Sequence, residues 1–233
     1  MTSTVPVSQT RTAEDATLQA VFLDMDGTLV DTEGFWWDTE VEVFADLGHR
    51  LKESWREVVV GGPMTRSAGY LIEVTGADVS LDELTVLLND RFEKRIGRGV
   101  PLMPGAQRLL AELGAHDVPT ALVSASHRRI IDRVLDSVGR HHFTLTVAGD
   151  EVARTKPHPE PYLAAAAGVG ADPWRCAVVE DTATGVASAE AAGCRVVAVP
   201  SVAPILPAPG RAVVGSLEEI DLPFLRNLVT RPV

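Results

Sequence analysis

Asp24 and Asp26, separated only by Met25, are residues whose types and spacing suit chemistry. Two carboxylates this close repel each other unless a cation or a shared proton compensates them, which points to a metal site or to acid–base work. Alone the pattern stays open, because Asp-x-Asp-Gly also makes an ordinary turn. Ser124, Lys156 and the adjacent pair Glu180-Asp181 extend it. Each of these also has a plain structural role: Ser124 as a helix N-cap, Lys156 as a solvated lysine, Glu180-Asp181 as a helix start. The case for a site rests on where they fall together.

Most of these groups follow a short apolar run that reads as a buried strand. Ala20–Leu23 precedes Asp24, Thr120–Val123 precedes Ser124, and Cys176–Val179 precedes Glu180. Lys156 opens the extended link Lys156-Pro157-His158-Pro159. Two further strands are expected at Leu145–Ala148 and Arg195–Val199, with a Pro-rich link over 200–209 after them. Helical stripes alternate with the strands, as at Ala106, Leu109, Leu110 and Leu113, and again at Ile130, Ile131, Val134, Leu135 and Val138. Such alternation predicts an α/β fold with a mostly parallel sheet covered on both faces. Ligands of open parallel sheets bind outside the carboxyl ends of the strands, where the polar groups would converge.

The alternation is interrupted after the first strand. Residues 34–99 carry helical periodicity only: Trp37, Val41 and Phe44 up to a stop at Gly48, a second helix over Thr65–Thr75, and a third opened by the capping box Ser80-Leu81-Asp82-Glu83. That third helix has the stripe Leu84, Leu87, Leu88, Phe92 and Ile96. Polar or glycine-containing joints at Asp31–Gly34 and Gly97–Val100 flank the block, which predicts a helical cap inserted into the core. The chain divides into a tail (1–17), a catalytic core (18–33 and 100–233) and the cap (34–99). Trp36 and Trp37 are expected in the cap core or facing a substrate. Gly61-Gly62-Pro63 breaks the cap but lacks the Gly-Lys-Ser/Thr ending of a nucleotide loop.

Composition narrows the function. A net charge of −11 over 233 residues argues against a nucleic-acid or anionic-membrane partner. Any phosphate site must therefore be made attractive locally, by a metal or a placed lysine. No apolar run reaches the length of a membrane span, and the first 17 residues lack the apolar middle of a signal peptide, so a cytoplasmic protein is expected. Cys176 and Cys194 lie in apolar surroundings and read as small packed hydrophobes. His127 reads as a helix-start residue, and His141 and His142 as surface residues.

Taken jointly, Asp24-x-Asp26-Gly27-Thr28, Ser124, Lys156-Pro157 and Glu180-Asp181 resemble the four motifs of the haloacid dehalogenase superfamily, in order and in context. Val123-Ser124-Ala125-Ser126 and Lys156-Pro157-His158-Pro159-Glu160 are most similar to its phosphatase and β-phosphoglucomutase-like branch. The resemblance implies a Rossmann-like core with a helical cap, and a magnesium-dependent phosphatase acting on a small phosphorylated metabolite such as a sugar or polyol phosphate. It implies that Asp24 attacks phosphorus and that Asp26 serves as acid and base. Asp24, the Asp26 carbonyl, Glu180 (directly or through water) and Asp181 would hold Mg2+. Thr28, Ser124, the Ala125 amide and Lys156 would bind the phosphoryl group, and Thr65 and Arg66 would contribute to specificity. A monomer or weak dimer is expected.

Two rivals remain on sequence grounds. A hexose-phosphate mutase shares these motifs, but relatives that shield their phosphoryl-enzyme carry a histidine in the first cap helix, and Phe35-Trp36-Trp37 has none. A signalling domain phosphorylated on aspartate shares the acids, a Ser/Thr and a lysine, but is shorter and has no helical insert.

Overall fold

The computed structural model describes residues 17–59, 64–201 and 203–230; the tail expected over 1–17 falls outside this range save for its last residue, and Gly61-Gly62-Pro63 lies wholly outside it. A six-stranded sheet forms the centre, in the order β3-β2-β1-β4-β5-β6. The strands are β1 (Ala20–Leu23), β2 (Thr120–Val123), β3 (Leu145–Val147), β4 (Cys176–Glu180), β5 (Arg195–Ala198) and β6 (Arg211–Val213), and every pairing is parallel.

Period-two side-chain alternation explains why both faces of the sheet are covered. Val21, Leu23, Leu122, Ala177, Val179 and Val197 enter one apolar cluster, with α5 (Ala106–Ala115), α6 (Arg128–Val138) and α9 (Leu222–Thr230). Ala20, Phe22, Ala121, Val123, Cys176, Val178 and Val196 enter the other, with α7 (Glu160–Val169) and α8 (Ala183–Ala191). Both cysteines are buried as free thiols. The chain winds outward from β1 in both directions, so the carboxyl end of β1 is a topological switch point, where crevices form in such sheets.

Between β1 and α5 the chain builds α1 (Glu33–Asp46), α2 (Arg56–Val59), α3 (Met64–Thr75) and α4 (Leu81–Ile96). Trp37, Val43, Phe44, Leu71, Leu84 and Leu88 close a third apolar cluster within this cap. The capping box at Ser80 and Glu83 is formed in both directions. Its chain crossings lie side by side, since Asp31 N donates to the Pro101 carbonyl and Val30 bridges Leu102.

The structure departs from the sequence expectations in three places. Leu87 and Val41, assigned to apolar stripes, are exposed. Phe92 and Ile96 of α4 pack into the core cluster, not the cap cluster. The segment after β5 contains β6 and α9, where only a link and a short tail are expected.

Candidate active site

The Asp24 backbone N–H donates to Val179 O at 3.0 Å, which carries the β1–β4 pairing one residue past the strand and fixes the Asp24 side chain at the sheet edge. Gly27 then turns the chain at φ +79°, and a Cβ there would run into the Asp181 carboxylate. Lys156 Nζ spends its protons on Asp24 Oδ1 (2.6 Å), Glu180 Oε1 (2.6 Å) and Val123 O (2.9 Å), and only 5% of the residue is exposed. Burial opposes the Lys156 cation, but Asp24 and Glu180 outweigh it and hold its pKa above the ordinary lysine value.

Glu180 is saturated by the protein. Its Oε1 accepts from Lys156 and from the Tyr162 hydroxyl at 2.9 Å; its Oε2 accepts from the backbone N–H groups of Asp181 and Thr182 and from the Thr182 hydroxyl. Gly185 of α8 packs directly on that carboxylate, with no room for a Cβ. Asp181 accepts from Thr28 Oγ1 at 3.3 Å and from Ser201 Oγ at 2.5 Å. Asp24, Glu180 and Asp181 each bring a carboxylate oxygen within 4.8 Å of the others, all buried. Burial pushes Asp24 well above the ordinary carboxylate value despite Lys156, and burial with the neighbouring Glu180 pushes Asp181 up to about 7.

Asp26 has hydrogen-bond partners separate from those of Asp24. Its Oδ1 accepts from Thr32 Oγ1 at 2.7 Å and, at 3.4 Å, from the Trp36 indole N–H; its Oδ2 accepts from Ser126 Oγ at 2.8 Å and, at 3.4 Å, from Ser124 Oγ. Trp36 is held flat against Phe92, ring centroids 3.6 Å apart. A cavity of about 320 Å³ lies over these groups, with Asp24, Asp26, Ser124 and Lys156 on the core side and Trp36, Trp37, Glu40 and Asn89 on the cap side.

Some placements differ from the sequence reading. Thr28 is 1% exposed, turns its hydroxyl to Asp181 and is not among the cavity-lining residues, so it braces an acid where phosphate contact was expected. Ser124 and Ala125 line the cavity but stand before the helix: His127 is the N-cap of α6, and Ser124 Oγ accepts from Ser126 N at 3.0 Å. Arg66 is exposed, donates to Val58 O and does not line the cavity, whereas Thr65 does. The sequence reading missed the groups that orient the acids: Thr32, Ser126, Tyr162, Thr182, Gly185 and Ser201. Ser126 and Thr182 carried a local signal, each two residues from a named site residue, Ser124 and Glu180.

Residues 18–193 match the family model described as haloacid dehalogenase-like hydrolase. The chain is 32% identical over 183 residues to a bifunctional riboflavin kinase/FMN phosphatase of Arabidopsis thaliana, and this match spans about half (48%) of that protein and 78% of this chain. It is 30% identical over 188 residues to hexitol phosphatase B of Escherichia coli K12, covering 79% of this chain and 84% of that protein. A β-phosphoglucomutase of Clostridium difficile superposes with a TM-score of 0.75 at 21% identity, over 91% of this chain and 97% of that one, which establishes likeness of fold. With its motif residues gathered at the carboxyl edge of a parallel sheet beneath a helical cap, the chain belongs to the haloacid dehalogenase-like hydrolase family.

Proposed function

We propose that this chain is a magnesium-dependent phosphatase that hydrolyses the monoester of a small sugar or polyol through an aspartyl-phosphate on Asp24. The carrying observation is the division of labour between two aspartates on one cavity: Asp24 sits in a buried charged cluster, and Asp26 is held apart by hydroxyls and an indole.

The donor set fits a hard cation. Three buried carboxylates crowd around a single ammonium, and the raised pKa values of Asp24 and Asp181 reflect burial and mutual repulsion that a divalent cation would relieve. Asp24 and Asp181 would hold Mg2+ with the Asp26 carbonyl; both Glu180 oxygens are already occupied, so Glu180 positions Lys156 and the strand end. Bound there, the ion would neutralise phosphoryl charge as the anionic nucleophile approaches. Lys156 fixes the Asp24 carboxylate and adds positive charge beside it. Ser124 and the Ala125 amide would hold phosphoryl oxygens. An Asp24 oxygen attacks phosphorus as the P–O bond to the substrate alcohol breaks, and Asp26 protonates the departing oxygen. Asp26 then takes a proton from the water that attacks phosphorus, which frees Asp24 and inorganic phosphate.

Hydrolysis is favoured over mutase chemistry because, among the described residues, the cavity's one histidine, His127, belongs to the core side and none comes from the cap helices. The buried free thiols suit a reducing cytoplasm, and no described helix is long and apolar enough to cross a membrane. The test is phosphate release from a panel of phosphomonoesters with and without Mg2+. Release that needs the ion supports the proposal, and release unaffected by chelator contradicts it.

A further inference from the structure

The cap half of the cavity contains polar groups that the phosphoryl chemistry does not use. Glu40 of α1 is 7% exposed, and its carboxyl has no hydrogen-bond or ion-pair partner among the described residues. Asn89 of α4 is 2% exposed, and its Nδ2 is likewise without a partner. Both line the cavity. Leaving such groups dry is costly, and α1 and α4 have ample exposed positions on which to display them, so their inward placement suits a polar ligand.

We propose that Glu40 and Asn89 are specificity-determining residues that read hydroxyl groups on the far end of the substrate, and that this end must be uncharged. The inference rests on the phosphatase reading and extends it to the class of alcohol. The Asn89 amide donates to a hydroxyl oxygen and its carbonyl accepts a hydroxyl proton. Burial pushes the Glu40 carboxyl up to about 8, so at neutral pH it is protonated and can both donate and accept. Trp36 and Trp37 offer ring surface to the C–H side of a polyol chain.

The exclusion of an anionic far end follows from charge. Among the described residues lining the cavity the only Lys or Arg is Lys156, whose protons are spent on Asp24, Glu180 and Val123. Residues 60–63 are Val-Gly-Gly-Pro and bring no charge. Glu33 also lines the cavity, with a buried Oε1 that has no partner. A second phosphate or a carboxylate would meet acids and no cation there, whereas a hydroxyl would complete the unpaired groups.

The test compares, with Mg2+ present, kcat/KM for glucitol 6-phosphate, fructose 1,6-bisphosphate, 2-phosphoglycolate and 4-nitrophenyl phosphate. The polyol ester is expected to exceed the bisphosphate and the phosphoglycolate by about 100-fold or more. Asn89→Leu, which keeps the branched heavy-atom skeleton, and Glu40→Leu should each lower the ratio of polyol ester to 4-nitrophenyl phosphate about tenfold, mainly through KM, while Glu40→Gln, which keeps a neutral donor and acceptor, should restore most of it. Turnover of the bisphosphate or of phosphoglycolate as fast as the polyol ester overturns the inference without any variant. So does an unchanged ratio in a folded Asn89→Leu protein. If 4-nitrophenyl phosphate is hydrolysed but the polyol ester is not preferred, only this inference fails; if no ester releases phosphate, the phosphatase reading fails with it.

Discussion

Thr32 Oγ1 donates to Asp26 Oδ1 across 2.7 Å, so the residue just before the first cap helix is bonded to the carboxylate assigned the acid–base role. Trp36, one turn into that helix, reaches the same oxygen. The aim of Asp26 is thereby tied to the position of the cap. Thr32→Val should lower kcat about 10- to 100-fold with little change in KM, because misalignment of a positioned proton donor is felt in the chemical step. Steady-state kinetics on a variant with native-like melting checks this, and wild-type kcat would show that the tether is idle.

Cap and core also meet through ion pairs. Arg129 of α6 pairs with Asp90 and Glu93 of α4, and Arg133 pairs with Glu93 at 3.2 Å. These pairs are solvent-accessible, so each contributes about 1 kcal/mol or less and weakens with salt. A contact of that strength can hold a cap closed and still release it. The cap is expected to move as a unit about Asp31–Gly34 and Gly97–Val100, with Glu93→Ala shifting it toward open. Small-angle scattering with and without a phosphate analogue should show two envelopes; a single envelope in all cases contradicts the motion.

Glu40 predicts a pH dependence of stability. Its folded pKa of about 8 lies above the ordinary 4.5, so the folded chain keeps a proton that the unfolded chain has lost between those values. The contribution is full below pH 4.5 and is lost as pH rises toward 8, at up to about 1.4 kcal/mol per pH unit. Urea melts at several pH values should show Glu40→Gln losing less stability than wild type across that window. Parallel curves would mean that Glu40 is not buried as described.

Gly185 is predicted to be intolerant of even one methyl group. A Cβ would overlap the Glu180 carboxylate, which anchors Lys156, Tyr162 and the start of α8. Gly185→Ala should cost about 1–3 kcal/mol of stability and lower activity as Lys156 loses its fixed position. Unaltered melting and turnover would contradict the packing.

The parts legible in the sequence were those with a short-range signature. Apolar runs ending at Asp24, Ser124 and Glu180 mark parallel strands and the edge where they end, and the Ser80–Glu83 box marks α4. β6 escaped because three half-buried residues after a Pro-rich link carry too little pattern, and α9 because Pro223 sits inside its Leu222, Leu225, Leu228 spacing. Within the site, side-chain pairings across 153 residues, such as Thr28 with Asp181, depend on the folded sheet. Glu40 and Asn89 carry no signal in the sequence, because a polar residue on the inner face breaks the very periodicity that would locate it.

The most direct test of the central claim follows inorganic phosphate and isomeric product together, with Mg2+, hexose and hexitol monophosphates and no bisphosphate primer, in wild type and in Asp24→Asn. Wild type should release phosphate linearly with no isomer, since Asp26 is free to activate water at each turnover, and Asp24→Asn should fold normally and lose about 1,000-fold or more, because an amide cannot be the nucleophile. Undiminished release by a folded Asp24→Asn protein, or isomer formed many times faster than phosphate and only with a primer, would contradict the account.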